Sequence, residues 1–297
     1  MHTFRGSYTV MVTPFDSAGH LDEERLRIFV DWQIDQGVQG LIPLGSTGEF
    51  LSLTREERTR VGGIVIEQAK GRVPVLIGTA AEWTDEAVAF SREAEQLGAD
   101  GVMIVPPFYS SPTEDELFEH YRRIGDAISV PIMIYNNPYT SNVDLKPTLV
   151  SRLAEIDNVN YIKESSGDVT RVTQILRLCG ERMTVFAGYH PWESFLAGAT
   201  GYVSVFSNIA PSLSRDLFVT TVEDGEPERG REIYSHVMPL LDAISGDLYV
   251  SATKAALALS GMPVGAPRLP RLPLPEAKLA PLADVLADLG LLDSRAA

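Results

Sequence analysis

Short apolar runs recur along the chain, and amphipathic stretches of helical period separate them. The runs are nearly continuous in apolar residues and most are bounded by Gly or Pro, as expected for parallel strands that are covered on both faces. This pattern predicts eight strands, at residues 8–12, 40–44, 74–77, 101–105, 131–135, 160–162, 184–186 and 202–205.

Helices are predicted between these strands from their start and stop signals. Thr54 and Thr113 each precede a Glu by three residues, which is the capping-box pattern, and Gly98 stands where a helix should end. The unbroken alternation of strands and helices indicates an α/β fold, a (β/α)8 TIM barrel over residues 1–223. The helical pattern of residues 224–297 predicts a C-terminal helical extension that packs on the barrel within the same structural unit.

The composition is that of an ordinary soluble globular protein, with 44% hydrophobic and 22% charged residues. A formal charge of -15 argues against nucleic acid or an anionic membrane surface as a partner, since both would repel the chain. No stretch approaches the roughly 18 apolar residues of a membrane span, and the N-terminus lacks the apolar core of a signal peptide, so a cytoplasmic location is expected. The lone Cys179 and five scattered histidines predict neither a disulfide nor a metal site.

Lys163 is the residue whose position indicates most about the chemistry of the predicted site. It follows the apolar residues of a predicted strand and precedes a turn at Gly167, so it lies at the carboxyl end of the strand, where residues of a (β/α)8 barrel surround one pocket. Most lysines lie on the solvated surface. Burial in the barrel mouth would instead lower the pKa of this amine toward the neutral form that attacks a carbonyl. The position therefore predicts a nucleophile that forms a Schiff base.

Other polar residues follow strands of the same predicted barrel. Tyr135 ends the fifth strand, where its phenol can move protons for the amine or simply cap the core. Residues 45–49 read Gly-Ser-Thr-Gly-Glu, whose N–H groups and hydroxyls either bind a substrate carboxylate or only complete a turn. Tyr109 follows the fourth strand on a proline-rich loop and suits either the site or a subunit contact, and Gly188 follows the seventh strand.

Taken in order, these motifs resemble the family of dihydrodipicolinate synthases and N-acetylneuraminate lyases, which are class I aldolase-type barrels. The resemblance spans nearly the whole chain and implies a Schiff-base enzyme assembled as a homotetramer, a dimer of dimers. The matching segments are Gly45-Ser46-Thr47-Gly48-Glu49, Tyr109 after Pro106-Pro107-Phe108, Tyr135-Asn136-Asn137-Pro138, Ile162-Lys163-Glu164 and Gly201-Tyr202-Val203-Ser204-Val205.

The resemblance implies a role for each matching residue. Lys163 forms the imine, Tyr135 shuttles protons, and Ser46 or Thr47 bind a carboxylate and relay protons. Tyr109 reaches across a tight dimer interface into the neighbouring subunit's site. The predicted site has the catalytic residues Lys163, Tyr135, Thr47 and Tyr109 and the substrate-binding residues Ser46, Thr47, Gly48, Asn137, Thr140, Ser165, Gly188 and Val205. Because the covalent imine carries the chemistry, no cofactor and no metal are expected.

Departures from the family pattern bear on the substrate. Synthases keep an arginine two residues after the proline of the tyrosine motif, where this chain has Thr140, and a bidentate contact to the carboxylate of aspartate semialdehyde is lost with it. Sialic acid lyases carry an acidic pair after the glycine of the seventh strand, where this chain has Tyr189-His190-Pro191-Trp192. Ser165 adds a hydroxyl two residues beyond Lys163, and with Asn137 it makes this half of the pocket uncharged.

The sequence therefore predicts a Schiff-base lyase, an aldolase, dehydratase or deaminase, that acts on a hydroxylated 2-oxo acid such as a 2-keto-3-deoxy sugar acid. The alternatives are 4-hydroxy-tetrahydrodipicolinate (dihydrodipicolinate) synthase, which condenses pyruvate with aspartate semialdehyde, and an aldolase like N-acetylneuraminate lyase. A non-catalytic scaffold would leave the set of Lys163, Tyr135 and Thr47 unexplained. Cleavage of a C–C, C–O or C–N bond can each proceed from the same imine, so the sequence does not choose among them.

Overall fold

The structure is a computed structural model that describes residues 4–293, and the predictions that concern residues 1–3 and 294–297 lie outside the described residues. The strands of the described part are β1 (Gly6–Val10), β2 (Gly40–Ile42), β3 (Leu76–Gly78), β4 (Gly101–Ile104), β5 (Ile132–Asn136), β6 (Val159–Glu164), β7 (Thr184–Ala187) and β8 (Gly201–Ser204). The α-helices are α1 (Glu23–Asp35), α2 (Arg55–Ala69), α3 (Thr84–Leu97), α4 (Glu114–Gly125), α5 (Pro138–Ser141), α6 (Pro147–Leu153), α7 (Thr170–Cys179), α8 (Pro191–Leu196), α9 (Pro211–Phe218), α10 (Pro227–Ala243), α11 (Tyr249–Leu259) and α12 (Leu279–Asp288).

The chain forms two compact units. The first unit contains Pro74–Val203 together with the segment that ends at Gly6, and the second contains Ser7–Val73 together with the chain from Ser204 onward. The division of the chain at residues 223 and 224, inferred from the sequence, stays a prediction.

In the first unit, β3 to β8 are parallel, and each strand pairs with the next one along the chain. Nearly all of their residues are buried, as the continuous apolar runs require. The register places Tyr135 of β5 opposite Lys163 of β6, and Lys163 opposite Phe186 of β7. Neighbouring parallel strands therefore bring the predicted tyrosine and lysine side by side.

In the second unit, β1 pairs in parallel with β2, and the unit also contains α1, α2 and the helices from α9 to α12. Glu49 is a buried acidic residue that links several segments of this unit. Its carboxylate lies 2.8 Å from Nζ of Lys254 and accepts the backbone N–H of Arg268 at 2.9 Å. The Lys254 ammonium also donates to the carbonyl of Thr13 at 2.8 Å. These contacts pair both buried charges, so Glu49 holds the loop before it in place.

The secondary structure confirms the sequence prediction closely. Strand bounds agree within about two residues, the uncertainty usual for element ends. Thr54 and Thr113 form the expected capping boxes, and Gly98 ends α3 in the left-handed region. The helix expected over residues 215–223 instead begins at Pro211 and continues as a π-helical turn over Val219–Glu223.

Candidate active site

Lys163 lies one residue before the end of β6 and is 5% exposed. Burial lowers the pKa of its ammonium to about 7, because removal from water penalises the charged form. Within residues 4–293 it has no ion-pair partner, whereas the other buried lysine, Lys254, is paired with Glu49. An unpaired buried lysine is driven toward the neutral amine, which is the nucleophilic form.

Tyr135 lies directly beside this amine. Nζ of Lys163 is 4.1 Å from the centroid of the Tyr135 ring. The phenol is buried, and burial raises its pKa above the ordinary value, while the side chains of Asn137 and Ser165 oppose the rise. The Asn137 amide donates to the phenol oxygen at 2.9 Å. A buried phenol beside a free amine is placed for proton transfer.

Ser165 and Gly188 lie together at the ends of β6 and β7. Ser165 is 1% exposed, and its side chain lies close enough to the Tyr135 phenol to lower the pKa of that phenol. A Cβ at Gly188 would lie 1.7 Å from Oγ of Ser165 and 2.9 Å from the carbonyl of Glu164. Gly188 is therefore needed for space, and its N–H donates to the Glu164 carbonyl at 2.8 Å.

Gly188→Ala is expected to destabilise the protein by about 1–3 kcal/mol, the usual cost of overpacking a filled site. The added methyl must displace Ser165 or open the contact between β6 and β7. Urea unfolding of the variant measures the loss. Adding Ser165→Gly should recover part of it, and an unchanged unfolding midpoint for Gly188→Ala would contradict the packing described here.

Glu164 faces the opposite side of β6 from Lys163, as alternation along a strand requires. Its buried carboxylate accepts the N–H of Ser166 at 2.6 Å and the Asn136 amide at 3.0 Å, and burial raises its pKa. Asn136 also accepts the N–H of Leu145 at 2.9 Å. This buried network ties the turn that follows Lys163 to the end of β5.

The segments after β4 and β5 carry two more predicted residues. Tyr109 is 89% exposed, and the carboxylate of Glu82 holds its loop by accepting the N–H groups of Phe108, Tyr109 and Ser110 at 2.8, 3.0 and 2.9 Å. Thr140 lies exposed on the short helix α5. Glu82 was not predicted from the sequence, since a glutamate after a strand carries no signal for three backbone contacts about 26 residues away.

The loop of residues 45–48 in the second unit is a tight turn. The N–H of Gly48 donates to the carbonyl of Gly45 at 3.0 Å, and the Gly48 carbonyl accepts the hydroxyl of Thr13 at 2.7 Å. A Cβ at Gly48 would lie 2.9 Å from the carbonyl of Met11, so the turn needs glycine there. Thr47 is buried, and Ser46 is partly exposed. Val205, also predicted to bind substrate, is partly exposed just after β8.

The structure brings five of the predicted site residues together within the first unit. They belong to β5, β6 and β7 and the turns that follow them, and they are Lys163, Tyr135, Asn137, Ser165 and Gly188. This arrangement can form an imine on a buried amine and move protons through a neighbouring phenol. No helix of the described residues is long and apolar enough to span a membrane.

The family model and the sequence relatives that match this chain point to one family. Residues 3–289 match the model of the dihydrodipicolinate synthetase family. The chain is 38% identical to the 4-hydroxy-tetrahydrodipicolinate synthase of Pelobacter propionicus, over 97% of this chain and 100% of that protein. It is 40% identical to that of Rhodopseudomonas palustris, over 91% and 92% of the respective chains.

Solved structures of similar proteins confirm the fold class. Dihydrodipicolinate synthase from Thermotoga maritima matches with a TM-score of 0.94 at 33% identity, over 98% of this chain and all of that chain. The chloride-inhibited dihydrodipicolinate synthase from Acinetobacter baumannii, complexed with pyruvate, matches with a TM-score of 0.95 at 34% identity and the same coverage. The predicted (β/α)8 barrel class with C-terminal helices is thereby confirmed.

Proposed function

Because the chain belongs to the dihydrodipicolinate synthetase family, a family of lyases, we propose that it forms a Schiff base between Lys163 and the 2-oxo group of pyruvate or a related 2-oxo acid. The observation that carries this proposal is the buried, unpaired amine of Lys163, whose pKa is lowered to about 7 beside the Tyr135 phenol. The pyruvate complex of the Acinetobacter baumannii relative supports a small 2-oxo acid as the reactant.

The proposed chemistry begins with attack of the Lys163 amine on C2 of the 2-oxo acid. The C–N bond forms, the carbonyl electron pair moves to oxygen, and the Tyr135 hydroxyl supplies the proton that this oxygen takes. Loss of a proton from nitrogen restores the phenol, and departure of water then gives the imine. Protonation of the imine nitrogen followed by removal of a proton from C3 yields an enamine, which either attacks an aldehyde or expels a leaving group, so one intermediate serves synthesis and cleavage. The imine requires no cofactor.

Ser46, Thr47 and Tyr109 enter the proposal with the roles that the family resemblance implies. The tight turn of residues 45–48, with Thr47 buried, supports carboxylate binding and proton relay by this loop. The 89% exposure of Tyr109 supports a contact with another subunit of a homotetramer. Mixing a Tyr109→Phe variant with a Lys163→Ala variant tests that contact, because hybrid dimers then regain one intact site only if the tyrosine acts across the interface.

Two overall reactions remain as candidates. The curated relatives named 4-hydroxy-tetrahydrodipicolinate synthase support condensation of pyruvate with aspartate semialdehyde. The uncharged Thr140, Asn137 and Ser165 favour instead a hydroxylated 2-oxo acid, such as a 2-keto-3-deoxy sugar acid, because a second carboxylate would lack a cation to offset its desolvation.

A paired assay decides between these candidates. Synthase activity is measured with pyruvate and aspartate semialdehyde, and cleavage or dehydration is measured with a panel of hydroxylated 2-oxo acids. Thr140→Arg should raise kcat/KM for aspartate semialdehyde if the position meets its carboxylate, whereas Thr148→Arg makes the same charge change at another exposed position and should not. Failure of the wild-type protein to form any borohydride-reducible adduct with these 2-oxo acids would overturn the Schiff-base proposal itself.

Turnover should rise with pH through about 7. The imine forms from the neutral amine, and below its pKa the neutral fraction of Lys163 grows tenfold per pH unit. A profile of kcat/KM between pH 5 and pH 9 measures this limb. A limb centred in the range of an ordinary lysine, above pH 9, would contradict a buried and unpaired amine.

A further inference from the structure

Asn137 occupies a firmly held position between β5 and α5. Its carbonyl accepts the N–H groups of Thr140 and Ser141 at 3.2 and 3.1 Å, and the buried Ser141 hydroxyl at 2.9 Å. Pro138 follows it directly and disfavours helical backbone at Asn137, which has φ -144° and ψ 83°. The backbone therefore presents the Asn137 side chain in one direction.

Among the described residues, the Asn137 amide makes one hydrogen bond, and its partner is the Tyr135 phenol. The amide nitrogen donates to the phenol oxygen at 2.9 Å, and both side chains are buried. The amide oxygen has no hydrogen-bond partner among the described residues. A buried asparagine kept for structure normally satisfies both ends of its amide. Within residues 4–293, the Asn137 side chain hydrogen-bonds only to Tyr135.

From this geometry we infer that Asn137 is a positioning residue, which fixes the Tyr135 hydroxyl as a proton donor toward the 2-oxo group that Lys163 attacks. The inference rests on the proposed function and deepens it. A phenol oxygen carries one proton and accepts through its lone pairs. With one lone pair occupied by the amide N–H, the proton points away from Asn137 and is free for the oxygen of the forming carbinolamine. The amide acts on the reaction through its hydrogen bond to the phenol.

The matched pair Asn137→Leu and Asn137→Asp tests this role. Leucine has a similar shape but no donor, so the phenol loses its orientation. A carboxylate accepts without donating, so it draws the phenol proton back toward residue 137. The readout is the rate of imine formation with pyruvate, followed by timed borohydride quenching and mass spectrometry, and compared at the high-pH plateau where Lys163 is neutral. Asn160→Leu, at the start of β6, is the control because the Asn160 amide donates to the carbonyl of Asp157.

Asn137→Leu is expected to slow imine formation about 10-fold, below the roughly 10²-fold scale of losing the proton-transfer group itself. Asn137→Asp should be at least as slow. The final extent of the adduct and KM should stay within about twofold of the wild type. A slower rate of imine formation with an unchanged KM is not what a loosened fold would produce. Melting curves of all variants monitor folding, and Asn137→Ser, which keeps a small donor, should recover part of the rate.

Two results would overturn the inference. An Asn137→Leu rate within twofold of the wild type would show that the phenol needs no positioning by this residue. A wild-type rate in Asn137→Asp alone would show that the phenol donates to residue 137, opposite to the direction inferred. If the wild-type protein forms no adduct with pyruvate or any other 2-oxo acid, the proposed function fails first, so the two failures are distinguishable.

Discussion

Lys163→Met is expected to abolish turnover, with a loss on the order of 10⁴-fold or more, because removal of a covalent nucleophile leaves no substitute route. Lys163→Arg should be equally inactive, since a guanidinium stays protonated and does not add to a carbonyl. Borohydride reduction with the 2-oxo acid substrate, followed by peptide mapping, should add mass at Lys163 in the wild type and nowhere in either variant.

Lys163→Met should leave folding intact. Because the folded-state pKa of Lys163 lies below its unfolded value, the buried amine lowers stability at neutral pH, and stability rises between about pH 7 and pH 10. Lys163→Met removes that cost and should raise the free energy of unfolding at pH 7 by a few kcal/mol, on the order of the cited shift. Lys278→Arg, at an exposed lysine, is the control for activity. Turnover retained by Lys163→Met, or an adduct on another lysine, would refute the imine mechanism.

Tyr135→Phe should lower turnover by about 10²-fold or more, the usual effect of losing a positioned proton-transfer group. The ring packing against Lys163 stays, so the fold is retained, and only the hydroxyl that protonates the carbinolamine oxygen is lost. Steady-state kinetics measure the loss, and timed borohydride quenching locates it in imine formation.

A second buried tyrosine provides the matched control. Tyr121 lies on α4 and donates to the carbonyl of Ile104 at 3.1 Å. Tyr121→Phe should lower the free energy of unfolding by about 1 kcal/mol, the usual value of one buried hydrogen bond, without changing turnover. If Tyr135→Phe behaved in the same way, with turnover within a factor of two of the wild type, Tyr135 would be a packing residue only.

The sequence predicted the parts of the fold that depend on local pattern. Continuous apolar runs located the strands, and the capping boxes at Thr54 and Thr113 located two helix starts, because both signals depend on neighbours within four residues. The short helices α5, α6 and α8 were not identified, since each has too few residues for a periodic pattern. Lys163 and Tyr135 were predicted to lie near each other because the ends of parallel strands meet at one edge of the sheet, and the register of β5 and β6 confirms this placement.

Contacts between distant residues could not be predicted in this way. Asp144 pairs with Arg171 from 27 residues away at 2.5 and 2.9 Å, and Lys254 meets Glu49 across about 200 residues of sequence. No local signal reports such pairs, because they depend on the packed fold. For the same reason the sequence indicated Asn137 as a residue near substrate but not its hydrogen bond to Tyr135.

The neutral amine of Lys163 should also make this residue unusually reactive toward electrophilic reagents. At pH 7 about half of its side chains are neutral, whereas an ordinary lysine with a pKa near 10.4 is neutral in fewer than about one molecule in 10³. A small acylating reagent offered briefly at neutral pH should therefore label Lys163 ahead of the exposed lysines. A 2-oxo acid that occupies the amine as an imine protects it from the reagent. Loss of label then ranks unknown compounds as ligands in a crude extract, without any assay for a product.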